Sequence, residues 1–155
     1  MPFRITGLAA EQFRHLYGLT DAELARHGAR RVIADVKPGF PDRVELRDAE
    51  PGQSLLLLNY VHQPADNPYR ASHAIFVREG ATTRCDARDV VPECLRVRTI
   101  SLRAFDSQHM MLDADVVDGQ EIEAAIRRMF EKADVAYLQA HYAKRGCYAA
   151  RVERA

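Results

Sequence analysis

Lysine is scarce in this chain: Lys37, Lys132 and Lys144 are the only three among 22 basic residues. Those 22 are matched by 22 acidic residues, for a formal net charge of zero. That balance leaves no excess positive charge to neutralise phosphates and argues against non-specific nucleic-acid binding. Cysteine is sparse too. Cys85, Cys94 and Cys147 form neither a C-x-x-C pair nor an even disulfide framework, which points to a reducing, cytoplasmic compartment. No apolar run approaches the ~18 residues of a membrane span. The opening MPFRITGLAAEQ lacks an apolar signal-peptide core. Also missing are GxGxxG after a strand, GxxxxGK and GxSxG, so no nucleotide-binding or hydrolase signature assigns a reaction.

What is present is ordinary for a soluble globular protein: 155 residues, 47% hydrophobic and 28% charged. The length implies one domain, residues 1–155, able to bury about 68–70% of its unfolded surface without staples. The basic residues are nearly all arginine. Arginine suits carboxylate or phosphate recognition, but arginine-biased codons are the simpler source of the excess.

The most informative stretch runs from Ser54 to Glu79. Leu55–Leu58 are consecutive leucines bounded by Pro51-Gly52 and Pro64. Lacking alternation, they predict a strand covered on both faces. Ala74–Val77 predict a second central strand. Between them, Gln63–Ser72 is a long polar loop with a histidine at each foot, and such loops on rigid strands carry binding groups. If the strands pair down to the loop, His62 opposes His73, and Tyr60, Leu58, Leu56, Ile75 and Val77 share their face. A one-residue slip would part the two imidazoles.

The remaining chain reads as follows. Phe3–Leu8 is a strand, Ala10–Tyr17 a short helix, and Thr20–Glu23 a capping box opening a second helix that ends near Gly28. Arg31–Val36 is a strand, and Val44–Leu46 a half-exposed one. Leu95–Phe105 is one long strand whose alternation changes phase near Thr99–Ser101, which predicts a bend. Met110–Val116 is another. Asp118 caps the clearest helix, with Ile122, Ile126, Met129, Phe130 and Ala133 at helical spacing. Ala136–Tyr142 and Cys147–Glu153 form a terminal hairpin in which His141 opposes Tyr148. Strand, helix, strand from Met110 to Tyr142 implies a parallel crossover. The expected fold is α+β: a mixed, mostly antiparallel curved sheet, with two short N-terminal helices and one longer C-terminal helix packed mainly on one side.

The phrases LLLLNYVHQPADNPYRASHAIFVRE, KPGFPDRVELRDAEPG and GCYAARVERA resemble a family of short bacterial proteins, the domain-of-unknown-function family twelve-oh-three. The resemblance spans essentially the whole chain. It implies no activity, cofactor or site residues.

From the residues alone, the site expectation is a pocket at the mouth of the central strands. His62, Tyr69, Arg70 and His73 build it, and Arg103, Asp106 and His109 converge from the next segment. Histidine supplies acid/base chemistry near neutrality and arginine holds an anion. The competing account is that these side chains tie the loop to its own feet. A metal held by the two imidazoles with His109, Asp106 or His141 has no supporting ligand spacing. Geometry counts against a Cys147–His141 nucleophilic pair: in the simplest hairpin register His141 opposes Tyr148, so the two side chains take opposite faces, an outcome that an odd-length loop would reverse. Two functions of different class follow. One is a small-molecule-binding or enzymatic domain with its histidine pocket under the 63–72 loop. The other is an interaction or scaffold module, a homodimer joined through a sheet edge or face. No cofactor is implied.

Overall fold

The computed structural model describes residues 1–155. The fold is α+β, with nine strands in two sheets and one longer C-terminal helix. The elements are β1 (Phe3–Thr6), α1 (Asp21–Arg26), β2 (Arg30–Ile33), β3 (Ser54–Gln63), β4 (Ala71–Arg78), β5 (Asp86–Arg88), α2 (Glu93–Arg96), β6 (Thr99–Phe105), β7 (Met111–Asp118), α3 (Ile122–Phe130), β8 (Tyr137–Tyr142) and β9 (Cys147–Arg154). Three single 3-10 turns complete the set; Ala10–Gln12 and Arg14–Leu16 replace the expected first helix. The larger sheet has the order β5-β1-β9-β8-β6-β7, the smaller β2-β3-β4, and neighbouring strands pair antiparallel throughout. The β7–α3–β8 crossover does link strands of one sheet, but β6 lies between them and pairs with both.

The larger sheet has two unlike faces, set by alternation along each strand. Ile100, Leu102, Ala104, Leu138, Ala140 and Val152 face the core under α3, which buries Ile122, Ala125, Ile126, Met129 and Phe130 against them. Burying the larger of these side chains stabilises the fold by roughly 1.5–3 kcal/mol each. The opposite face carries Ser101, Arg103, Tyr137, Gln139, His141, Tyr148 and Arg151. Register aligns Arg103 with Gln139 and Gln139 with Arg151, and Ser101 with His141 and His141 with Tyr148. The end of β3 folds over this polar face.

The central leucines are buried from both sides, as their lack of alternation predicts. Leu56 and Leu58 pack with Ile75, Val77 and the N-terminal helical segment, while Leu55 packs with Ala34 and Ala49. Thr20 caps α1 in a complete capping box with Glu23, and Leu19 and Leu24 meet in the same cluster. The β8–β9 hairpin has the expected register, His141 opposite Tyr148.

Three expectations are corrected. Tyr60, not His62, opposes His73. The pairing is displaced by two residues, which keeps every side chain on its expected face but separates the histidines along the strands. A bulge between Val61 and Gln63 then leaves His62 without a partner. Leu95–Phe105 is not one bent strand. Pro92 opens α2, and the phase change marks the passage from helix to strand. Val44–Leu46 forms no strand; it lies in a buried turn, with Leu46 at φ 53°. Gly7 makes that turn's close approach workable, because a Cβ there would lie 2.1 Å from the Val44 carbonyl oxygen.

Candidate functional site

The bulge aims His62 at the polar face of the larger sheet. Its ring stacks on Tyr148, with centroids 5.5 Å apart and planes 7° from parallel, and meets the edge of His141 at 4.8 Å. Gln139, also buried, binds both rings. Its Nε2 donates to the His62 carbonyl oxygen at 3.0 Å, which fixes the amide orientation. Its Oε1 therefore accepts from His62 Nδ1 at 2.9 Å and from His141 Nε2 at 3.0 Å. This settles the His62 tautomer: the proton sits on Nδ1, and Nε2 keeps its lone pair.

Burial pushes the His62 pKa below its ordinary value, the charges of Arg103 and His73 push the same way, and the Gln139 bond opposes them. The imidazole is neutral at pH 7. Burial drives His141 much further, to about 3, with Arg103 again adding to the effect. His141 also faces the Gly146 carbonyl through Nδ1 at 3.2 Å. A neutral ring has one N–H for these two acceptors, so His141 is a held group rather than a proton carrier.

His62 lines a cleft of about 260 Å3. Tyr60 and Tyr148 supply its aromatic lining, Gly7–Ala9 and Gln12 line it from the N-terminal segment, and Arg84 and Arg151 are its charged residues. No carboxylate lines it. Arg84 donates through Nε to the Gly7 carbonyl at 2.7 Å, and Arg151 pairs with Glu153 at 2.8 Å. Both guanidiniums retain further N–H groups. A third, Arg103, sits beside Gln139 on the same face. Its side-chain partner is the Ser101 hydroxyl at 3.3 Å, and burial lowers its pKa. These three arginines are accompanied by one carboxylate, Glu153, which is paired with Arg151.

Of the residues expected to converge, His62 lines the cleft and Arg103 lies near it; the others are placed elsewhere. His73 is half-buried, its Nδ1 against the Ala74 carbonyl at 2.9 Å. Arg70 donates to the Pro64 carbonyl at 2.7 Å within its own loop. Tyr69 stands edge-on to Phe105. Asp106 accepts from the backbone N–H groups of Gln108 and Met110, closing the β6–β7 turn. His109 meets the Tyr137 hydroxyl at 2.7 Å, and Gln63 donates to that same oxygen at 2.9 Å. With Asn67 donating to the Gln108 and His109 carbonyls, these groups form a seam fastening the long loop to the β6–β7 turn. Pro64 is the residue of this loop that lines the cleft.

Sequence reading placed Tyr60 on the face of His62 but missed Gln139, Tyr148, Arg84 and Arg151 around it. A signal existed in YLQAHY, where Tyr137, Gln139 and His141 alternate with Leu138 and Ala140. That pattern marks a polar face, and all six residues are buried.

No group of three or more His, Cys, Asp and Glu side chains gathers anywhere in the fold in a way that could hold a metal ion. No helix is long and apolar enough to cross a membrane. Neither a curated protein nor a solved structure matches the chain. Residues 39–154 match the family described as DUF1203, protein of unknown function, and the chain belongs to that family.

Proposed function

We propose that this protein binds a small organic acid in the His62 cleft, with Arg84 and Arg151 holding the acid group and His62 Nε2 accepting a proton or hydrogen bond from the ligand. The carrying observation is the pairing of a neutral imidazole, its Nδ1 committed to Gln139, with two guanidiniums and no lining carboxylate. A volume of about 260 Å3 is below the ~300–1,000 Å3 usual for drug-sized ligands, so the ligand is small. A lone pair repels a bare anion. The best-matched ligand therefore carries a hydroxyl beside its carboxylate, or retains one acid proton, and a hydroxy acid fits both demands. An anion settling beside His62 would also raise the affinity of that imidazole for a proton, giving acid/base chemistry at the ligand hydroxyl.

Calorimetric titration with glycolate and acetate tests the reading. Glycolate should bind more tightly than acetate, His62→Ala should erase the difference, and Arg84→Gln should weaken both by roughly tenfold, about 1.4 kcal/mol. Equal affinities for the two acids, or no heat from either, would reject it.

The interaction-module reading has one observation in its favour. β7 is an edge strand, and Leu112 and Val116 on it are 39% and 63% exposed. An open edge invites strand pairing with a second copy. Light scattering at rising concentration distinguishes the two functions: a stable dimer broken by Val116→Lys supports pairing, and a monomer throughout removes it.

A further inference from the structure

A second cavity of about 520 Å3 shares no lining residue with the His62 cleft. The 38–41 loop and Phe76 of β4 form one side. Val97–Thr99 and the β8–β9 turn form the other. Its walls are aromatic: the Phe40 and Phe76 rings lie 5.3 Å apart, and Tyr142 contributes a ring face. Its charged lining residues are all cations, namely Arg43, Arg98, Lys144 and Arg145.

These four cations are not equivalent. Asp48 already neutralises Arg98 through two bonds of 2.9 and 2.6 Å. Lys144 and Arg145 are exposed at the rim and form no ion pair. Arg43 is the unusual one, since it is only 1% exposed and has no carboxylate partner. It donates to the Tyr148 carbonyl at 2.7 Å, the Pro41 carbonyl at 2.5 Å and Cys147 Sγ at 3.1 Å. A guanidinium has five N–H groups, so two remain without these partners. The neighbouring carboxylate cannot help. Asp42 is turned toward the backbone N–H groups of Glu45 and Arg78, at 2.6 and 2.7 Å. The remaining compensation is the Tyr142 ring, 4.9 Å from the Arg43 guanidinium carbon and 5.0 Å from that of Arg98. Burying a cation against carbonyls and a π face alone is costly, and an anion in the cavity would supply the missing countercharge.

We propose that this cavity is a second binding site, for a flat apolar molecule carrying one acidic group, carboxylate or phosphate. The acidic group meets Lys144, Arg145 and the Arg43 side of the cavity, and the flat body lies against Phe40 and Phe76. A simple anion would leave the aromatic walls unused, and a neutral aromatic would leave the cations unmatched. The volume falls within the range typical of small-molecule sites.

Phenyl phosphate and benzoate are the test ligands, with inorganic phosphate and phenol as controls, in calorimetry and in aromatic-region NMR on the full chain. At least one of the two test ligands should bind tenfold or more tightly than either control, show intermolecular NOEs to Phe40 or Phe76, and identify by its rank the preferred acid. Arg43→Met risks the fold, so the informative variant is the rim pair Lys144→Gln with Arg145→Gln, which should weaken binding at least fivefold. Failure of both ligands to bind, affinity unchanged in the rim variant, or NOEs to Tyr60 and His62 instead would overturn the second site. The first two results leave the His62 cleft untouched, because that site is read with glycolate.

Discussion

Replacing Gln139 by leucine should reveal what holds His62 in place. The side chain is 3% exposed and makes three hydrogen bonds, to His62 Nδ1, the His62 carbonyl and His141 Nε2. Leucine preserves most of the volume and removes all three. His141 is fully buried, so its stranded N–H costs about 1–3 kcal/mol. The two His62 groups are partly buried, water reaches them, and their loss is discounted to about 1 kcal/mol together. A little returned hydrophobic burial leaves a net loss of roughly 2–4 kcal/mol. For a chain of this size that lowers Tm by about 4–16 °C. Urea denaturation monitored by circular dichroism measures the difference directly, with an unchanged m-value showing that the compact state is retained. A loss under about 1 kcal/mol would mean that the Gln139 node contributes little, and the argument for a fixed His62 tautomer would fall with it.

Acid stability provides a second expectation. His141 titrates near 3 in the folded protein and near 6.5 when unfolded. Below the unfolded value the unfolded chain takes up a proton that the folded chain refuses, so stability falls from about pH 6.5 downward and levels off near 3. The total is on the order of 4–5 kcal/mol, and His62, shifted in the same direction, adds to it. Glu79, held at about 2 chiefly by Arg31, adds its own loss only below the ordinary carboxylate range. Asp42 acts oppositely, because burial raises its pKa and protonation there favours the folded state. Between pH 6.5 and about 4.5 the loss from the histidines is opposed by Asp42, so the comparison of variants isolates it: His141→Gln should remove most of the falling component, and an equal slope in that variant would contradict the assignment. Gly7→Ala should destabilise by about 1–3 kcal/mol through overpacking, since its methyl would meet the Val44 and Arg43 carbonyl oxygens at 2.1 and 2.9 Å. A thermal scan showing no loss would mean the 43–44 turn yields freely.

The fold was legible wherever a local rule was strong. Four consecutive leucines announced a strand buried on both sides. Thr20 with Glu23 announced a helix start, and the Ile122–Phe130 stripe announced the helix under the larger sheet. The break before β6 was misread because Leu95 and Val97 happen to keep strand parity while α2 turns beneath them. The bulge at His62 was invisible for a different reason: Val61-His62-Gln63 contains no glycine or other residue that marks one. Its cause is tertiary, since His62 gains Gln139 and Tyr148, and Gln63 gains the Tyr137 hydroxyl. The site was half-readable for the same reason. His62 stood out beside a long loop, but Gln139 is 77 residues away in sequence. Bringing it alongside needs the order β9-β8-β6 in one sheet and β3 folded across it. Tyr69, Arg70, Asp106 and His109 were legible as polar residues near the loop, but their partners were not: Arg70 bonds within the loop, Asp106 closes the β6–β7 turn, and His109 shares the Tyr137 hydroxyl with Gln63.

The most direct measurement is a long-range proton–nitrogen NMR spectrum of the histidine rings at pH 7, recorded before and after addition of glycolate. Before addition, His62 should be a neutral ring protonated on Nδ1 with an unprotonated Nε2, and glycolate should shift the Nε2 resonance far more than those of His73, His109 or His141. An Nε2-protonated or doubly protonated His62 in the free protein, or a glycolate response spread evenly over all the histidines, would contradict the account.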